Sequence, residues 1–203
     1  MWSGEIEFSH RFSTTWSGTI AGFGNYYTDF VTLTSLPDMT VQYRTSSEAP
    51  VLTVGGEVEL RRDWRQGWMF ALTYSYQRSQ YLEQNGANAR REVPNSPEHL
   101  ASLRGAMPIL GRALTLSSRV SFEGPRWDRH DSNADMSPQN QTDPALLWDI
   151  VLSGQEQRAG LRYALGVYNV LDWRYSVPTA AFFPASTISQ NGRTLLLSVG
   201  LNI

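Results

Sequence analysis

Few side chains in this sequence have types and spacings that suit chemistry, and each can be weighed against what the chemistry requires. Asp131-x-Asn133-x-Asp135 has the oxygen-ligand spacing that opens a calcium loop. Such a loop needs Gly next and Glu at its twelfth position. The chain has Met136 and Thr142 there, so the run is an acidic surface loop rather than an EF-hand. His10, His99 and His130 are widely separated and lack metal-ligand spacing. Serines are plentiful, but no local pattern sets one beside a His as an activated nucleophile. No catalytic residue, metal site or cofactor is expected. What remains is a set of ionisable residues, Glu57, Glu59, Arg61, Arg104, Arg119, Asp149 and Arg162, whose positions alternate with apolar ones.

That alternation is the organising signal. Leu195, Leu197, Val199, Leu201 and Ile203 alternate with Thr194, Ser198, Gly200 and Asn202. Ala145 to Glu156 and Leu161 to Leu171 alternate in the same way, as do Glu5 to Phe12, Leu52 to Asp63, Trp68 to Gln77, and Leu114 to Phe122. Ser17 to about Val31 reads as a longer, Gly-spaced strand, Met39 to Arg44 as a strand extension inside a loop, and His99 to Ile109 as a returning strand. A period of two marks β-strands with two unlike faces. The connections alternate short and long along the whole chain. Outer-membrane barrels have this rhythm, with short periplasmic turns and long external loops. Charged groups facing lipid would cost roughly 2–4 kcal/mol for Arg at the bilayer midplane. The seven ionisable residues above are therefore assigned to the lumen, where they would pair across strands. Trp16, Trp64 and Trp68 flank short turns, where an interfacial girdle belongs. Pro108 sits just before a turn, where a strand tolerates it.

The fold expected is all-β: an antiparallel up-and-down transmembrane β-barrel segment of about nine strands, forming an open curved sheet. Bacterial barrels have even strand numbers, and an odd set leads to the expectation of further strands upstream. Met1-Trp2-Ser3-Gly4-Glu5 lacks the basic and apolar regions of a signal peptide, which adds to that expectation. No apolar run approaches the length of a membrane helix, and mean hydropathy is negative. There is no cysteine, hence no disulfide framework. Net charge is −2, with no nucleic-acid footprint. All 17 basic residues are Arg. That is either a coding bias or a means of gripping lipopolysaccharide phosphates in pairs of hydrogen bonds.

Val167-Tyr168-Asn169-Val170-Leu171-Asp172-Trp173-Arg174-Tyr175, then Pro178, then Gly192-Arg193-Thr194 opening the last strand, resembles the carboxyl end of TonB-dependent outer-membrane receptors. Gly55-Gly56-Glu57-Val58-Glu59 resembles the family's Gly-x-Glu-x-Glu strand. Pro94-Asn95-Ser96-Pro97-Glu98-His99-Leu100 resembles its Pro-x-x-Pro-x-His lead into a descending strand. The family usually ends in Phe or Trp, and this sequence ends in Ile203.

The resemblance implies that residues 1–203 are the carboxyl-terminal portion of a 22-stranded barrel, without plug domain or signal peptide. It implies the outer membrane of a Gram-negative bacterium, and uptake of a ferric siderophore, haem, cobalamin or similar scarce nutrient. The implied partners are outer-membrane lipid and lipopolysaccharide, the amino-terminal plug and upstream strands, the TonB complex through that plug, and the small nutrient itself. The charged lumen face would then also dock the plug. Arg126, Trp127, Arg129 and His130, in the most polar loop, are the expected ligand contacts: Arg for a catecholate or carboxylate, Trp for a ring. The rival readings are a passive porin, a soluble β-rich binding module and a barrel enzyme.

Overall fold

Side chains of β-branched, aromatic and aliphatic type at every second position favour extended backbone, because each face of a pleated strand then meets one kind of surroundings. The computed structural model describes residues 1–28, 30–35, 41–46, 50–82, 92–111, 113–128, 140–179, 183 and 185–201. Every regular element among them is a strand: β1 (Trp2–Arg11), β2 (Trp16–Tyr27), β3 (Phe30–Ser35), β4 (Val41–Ser46), β5 (Val51–Asp63), β6 (Met69–Tyr81), β7 (His99–Pro108), β8 (Thr115–Glu123), β9 (Ala145–Glu156), β10 (Leu161–Tyr168), β11 (Ser176–Pro178), β12 (Thr187–Ser189) and β13 (Thr194–Leu201). Nine of them form one sheet in the order β1-β2-β5-β6-β7-β8-β9-β10-β13. Each neighbouring pair is antiparallel. β3 with β4, and β11 with β12, make separate hairpins within long connections. β1 and β13 are unpaired edges, so the sheet does not close into a barrel.

Several boundaries differ from those read in the sequence: β1 already starts at Trp2 rather than Glu5, and β6 runs past Gln77 to Tyr81. The strand expected to reach Val31 stops at Tyr27, and Phe30 opens the β3–β4 hairpin; of the extension expected at Met39–Arg44, residues 41–44 fall in β4, while Met39 and Thr40 lie outside the described residues. The alternation read through Leu171 stops at Tyr168, because Asn169 and Asp172 take left-handed backbone, with φ of 52° and 50°. Asn and Asp tolerate that region because their short polar side chains bond locally. Ile203, the last member of the apolar row of β13, lies outside the described residues.

The register separates two faces. One row across the sheet runs Phe8, Ile20, Val58, Tyr74, Ala101, Phe122 and Leu146. The neighbouring row, on the opposite face, runs Glu7, Ala21, Glu57, Ser75, Leu100, Glu123 and Ala145. Among the described residues nothing covers the apolar face. Leu195 and Leu197 are 71% exposed and Ile6 is 80% exposed. Among the described residues only Val51, Ala71 and Ala145 are buried hydrophobics. The chain exposes 13697 Å², whereas a soluble monomer of its mass exposes about 9,600 Å². A single sheet with an apolar face this large has no hydrophobic core of its own. The missing burial has to come from an apolar solvent, which a bilayer supplies.

The short turns lie together at one rim. In the first, the Ser13 hydroxyl accepts hydrogen bonds from the Thr15 and Trp16 amides at 3.2 and 3.1 Å. The turn after β5 places Gly67 at φ 85°, with its amide donating to the Trp64 carbonyl at 3.0 Å. A side chain at that φ would be strained, which accounts for Gly there. Trp16, Trp64 and Trp68 sit at this rim as expected, with Trp64 and Trp68 joined by a 3.0 Å backbone hydrogen bond.

Candidate functional site

Strand register places Glu57, Glu59, Arg61, Arg104, Arg119, Asp149 and Arg162 on the one polar face. That face is concave: Glu5, Glu7, Glu57, Glu59 and Glu123 help to line a trough of about 540 Å³ reaching from β1 to β8. Nearer the short turns, Arg104, Arg119, Asp149 and Tyr168 border a second hollow of about 270 Å³. The wall is thus layered, with carboxylates along its middle and guanidiniums toward the short-turn rim. Arg11, Ser17, Arg61, Ala71, Arg104, Arg119 and Asp149 form one continuous cross-strand row.

Pairing across strands is sparser than the sequence suggests. Arg119 donates to Asp149 Oδ2 through Nη2 at 2.9 Å and Nε at 3.3 Å. Arg61 instead pairs within its own strand, with Asp63 at 2.6 Å. Glu57 accepts a hydrogen bond from Ser75 at 3.2 Å. Among the described residues, Glu59, Arg104 and Arg162 have no hydrogen-bonded or ion-paired partner. The carboxylates along the middle of the concave wall and the guanidiniums nearer the short-turn rim make two bands of opposite sign, which a surface of complementary charge layout would fit.

A second constellation joins the wall to the crossover before β13. Asp149 is 8% exposed. Its Oδ2 takes the Arg119 guanidinium, and its Oδ1 accepts the Asn169 amide at 3.0 Å. The Asn169 side chain then grips Trp173 from both sides, with Oδ1 accepting the Trp173 amide at 2.8 Å and Nδ2 donating to the Trp173 carbonyl at 3.1 Å. Asp172 Oδ1 accepts the Arg193 amide at 2.9 Å, and Arg193 Nε donates to the Val170 carbonyl at 3.0 Å. The Arg193 amide, with the Arg174 charge adding to it, holds the Asp172 carboxyl below its ordinary 3.8. A Cβ on Gly192 would meet Asp172 Oδ1 at 2.5 Å. The Tyr175 phenol is pushed above its ordinary 10.0 by burial, and the Glu123 charge adds to this. These residues stand in the motif that carried the family resemblance, and their work here is to lock a tight crossover. Asp149 was legible as a wall charge; its second bond, to a backbone amide twenty residues on, was not.

At the long-loop rim, Arg126 donates to Glu123 at 2.6 Å and to the Asn95 side chain at 2.9 Å. The Asn95 amide donates to the Trp127 carbonyl at 2.9 Å. Trp127 bridges to Gln141, and the Asp128 carboxylate, 3% exposed, accepts the Asn140 amide at 2.9 Å. Two long connections are therefore tied together at their base. Trp127 also lines a hollow of about 250 Å³ with Glu92, Glu98, His99 and Gln141. Arg129 and His130, like Asp131 to Asp135, lie outside the described residues. Asn95, with φ 56°, is the residue of this rim that the sequence did not single out.

His10 and His99 serve aromatic contacts. His99 Nδ1 is 2.8 Å from the Tyr74 hydroxyl, and His10 packs edge-on against Phe12. Among the described residues no group of three or more His, Cys, Asp or Glu side chains is placed to hold a metal.

Residues 4–170 match the sequence profile of a family described as TonB dependent receptor-like, beta-barrel. No curated protein matches the chain. Among solved structures, the ferric-catecholate import receptor Fiu of E. coli is 19% identical with a TM-score of 0.70, covering 97% of this chain and 27% of its own. BauA, the ferric preacinetobactin receptor of Acinetobacter baumannii, is 16% identical with a TM-score of 0.71, covering 97% and 28%. The FrpB iron transporter of Neisseria meningitidis is 14% identical with a TM-score of 0.72, covering 97% and 30%. The chain therefore spans less than a third of the length of each of these proteins.

Proposed function

The chain belongs to the TonB-dependent receptor family, whose barrels lie in the outer membrane of Gram-negative bacteria, and on that premise we propose that it forms the carboxyl-terminal wall of a receptor for energised nutrient uptake. In this reading β1 continues into upstream strands, and the concave face receives an amino-terminal plug. The long loops admit a scarce, bulky ligand, with a ferric siderophore the first candidate because the similar structures named above are iron receptors. The observation that carries the reading is the layered polar wall: Glu59, Arg104 and Arg162 have no partners among the described residues. Water solvates such charges where the wall is open, and they are free to pair with a complementary domain seated against them. Arg126 and Trp127, at the base of the joined loops, would shape the ligand vestibule, and Arg129 and His130 would reach the ligand from the same loop.

The test is growth of an iron-starved host lacking its own siderophore receptors, carrying the complete open reading frame that contains this chain, in backgrounds with and without TonB. Growth on a supplied ferric siderophore that depends on TonB supports the proposal. Uptake that ignores TonB would reassign the protein to passive diffusion.

A further inference from the structure

On the apolar face, one residue from the end of β5, stands an arginine that the polar wall does not account for. Register pairs Arg62 with Trp16 on one side and Phe70 on the other. Its guanidinium carbon lies 5.0 Å from the centre of the Trp16 ring and 4.2 Å from that of Trp64. Nε is sealed from solvent without a hydrogen-bond acceptor. The adjacent carboxylate, Asp63, is committed to Arg61 on the opposite face. Among the described residues nothing accepts from the Arg62 Nη groups either.

We propose that Arg62, clamped by Trp16 and Trp64, binds the phosphodiester of a phospholipid head group in the leaflet on the short-turn side. Cation–π contacts with two indoles restrict where the guanidinium can turn. With Nε enclosed, the free hydrogen-bonding edge is the pair of Nη groups, a fork that matches two phosphate oxygens. The depth is right. A cation at a strand end beside girdle tryptophans sits at head-group level, where an outward Arg is tolerated even before any partner is counted. The acyl chains of the same lipid would lie along Leu60 and Leu72, which continue the apolar face next to Arg62.

The test is native mass spectrometry, in maltoside micelles, of the full-length protein that contains this chain. The added probes are dioleoylphosphatidylethanolamine, dioleoylglycerol (the same tails without phosphate) and inorganic phosphate. The phospholipid should bind, the diacylglycerol should not be retained, and Arg62→Gln should weaken phospholipid binding about tenfold, the loss of charge-assisted hydrogen bonds. Arg62→Lys, keeping the charge but not the fork, should fall between. Strand content by circular dichroism must match across the variants, so that altered binding is not misfolding. Equal retention by Arg62→Gln, equal binding of diacylglycerol, or displacement of the lipid by millimolar phosphate would each overturn the proposal.

Discussion

Asp149 carries two loads, and they can be separated. Its Oδ2 meets Arg119, whose side chain is 55% exposed; an ion pair with one so exposed partner contributes about 0–1 kcal/mol. Its Oδ1 holds the buried Asn169 amide at 3.0 Å. A buried N–H stripped of its acceptor costs about 1–3 kcal/mol. Asp149→Ala should therefore destabilise the folded state by about 1–4 kcal/mol, most of it from the orphaned amide. Arg119→Ala should cost under about 1 kcal/mol. Asp149→Asn retains a carbonyl oxygen for the amide and should cost about 1 kcal/mol. The assay is urea unfolding in micelles, run as a double-mutant cycle on Asp149 and Arg119, with a coupling energy below about 1 kcal/mol expected. If Arg119→Ala costs as much as Asp149→Ala, the ion pair is the dominant tie. The assignment of Asp149 as an acceptor for the crossover would then be wrong.

Face assignment is checked by arginine substitution in β13. Leu197→Arg on the apolar face should lose roughly 2–4 kcal/mol of folding free energy in phospholipid vesicles, while Ser198→Arg on the polar face should be tolerated; equal losses would refute the register. The Asp172 carboxyl has a folded-state pKa below 3.8, so its contribution is complete above that pH and is lost as pH falls further, through the folded value. Protection of the Arg193 amide, taken relative to its intrinsic exchange at each pH, should fall in that acid range, and Asp172→Asn should remove that pH dependence of protection; an unchanged protection profile in the variant would exclude Asp172 as its source. Gly192→Ala should loosen the same crossover, because its Cβ would fall 2.5 Å from Asp172 Oδ1, and limited proteolysis after β10 reads that out. In detergent-free buffer the whole chain should sediment as aggregate, since its apolar face and the β1 and β13 edges are open. A monodisperse monomer would contradict both the membrane reading and the open-sheet reading.

The division between sequence and structure follows from the range over which each determinant acts. Side-chain alternation is local, so the nine-strand sheet, its two unlike faces and the limits of β9 at Ala145 and Glu156 were legible without coordinates. Where a strand stops is less local. Asn169 still alternates with its neighbours, and only its left-handed backbone ends β10, held by bonds to Asp149 and Trp173. Which charges pair was hidden altogether. Arg119 finds Asp149 across thirty residues of sequence, whereas Glu59 and Arg104 on the same face find no partner among the described residues. The sequence marked Trp16 and Trp64 as girdle residues, but it could not place Arg62 between them. That neighbourhood exists only once the register of β2 on β5 is set, and register is a cooperative property of the whole sheet, not of any one strand.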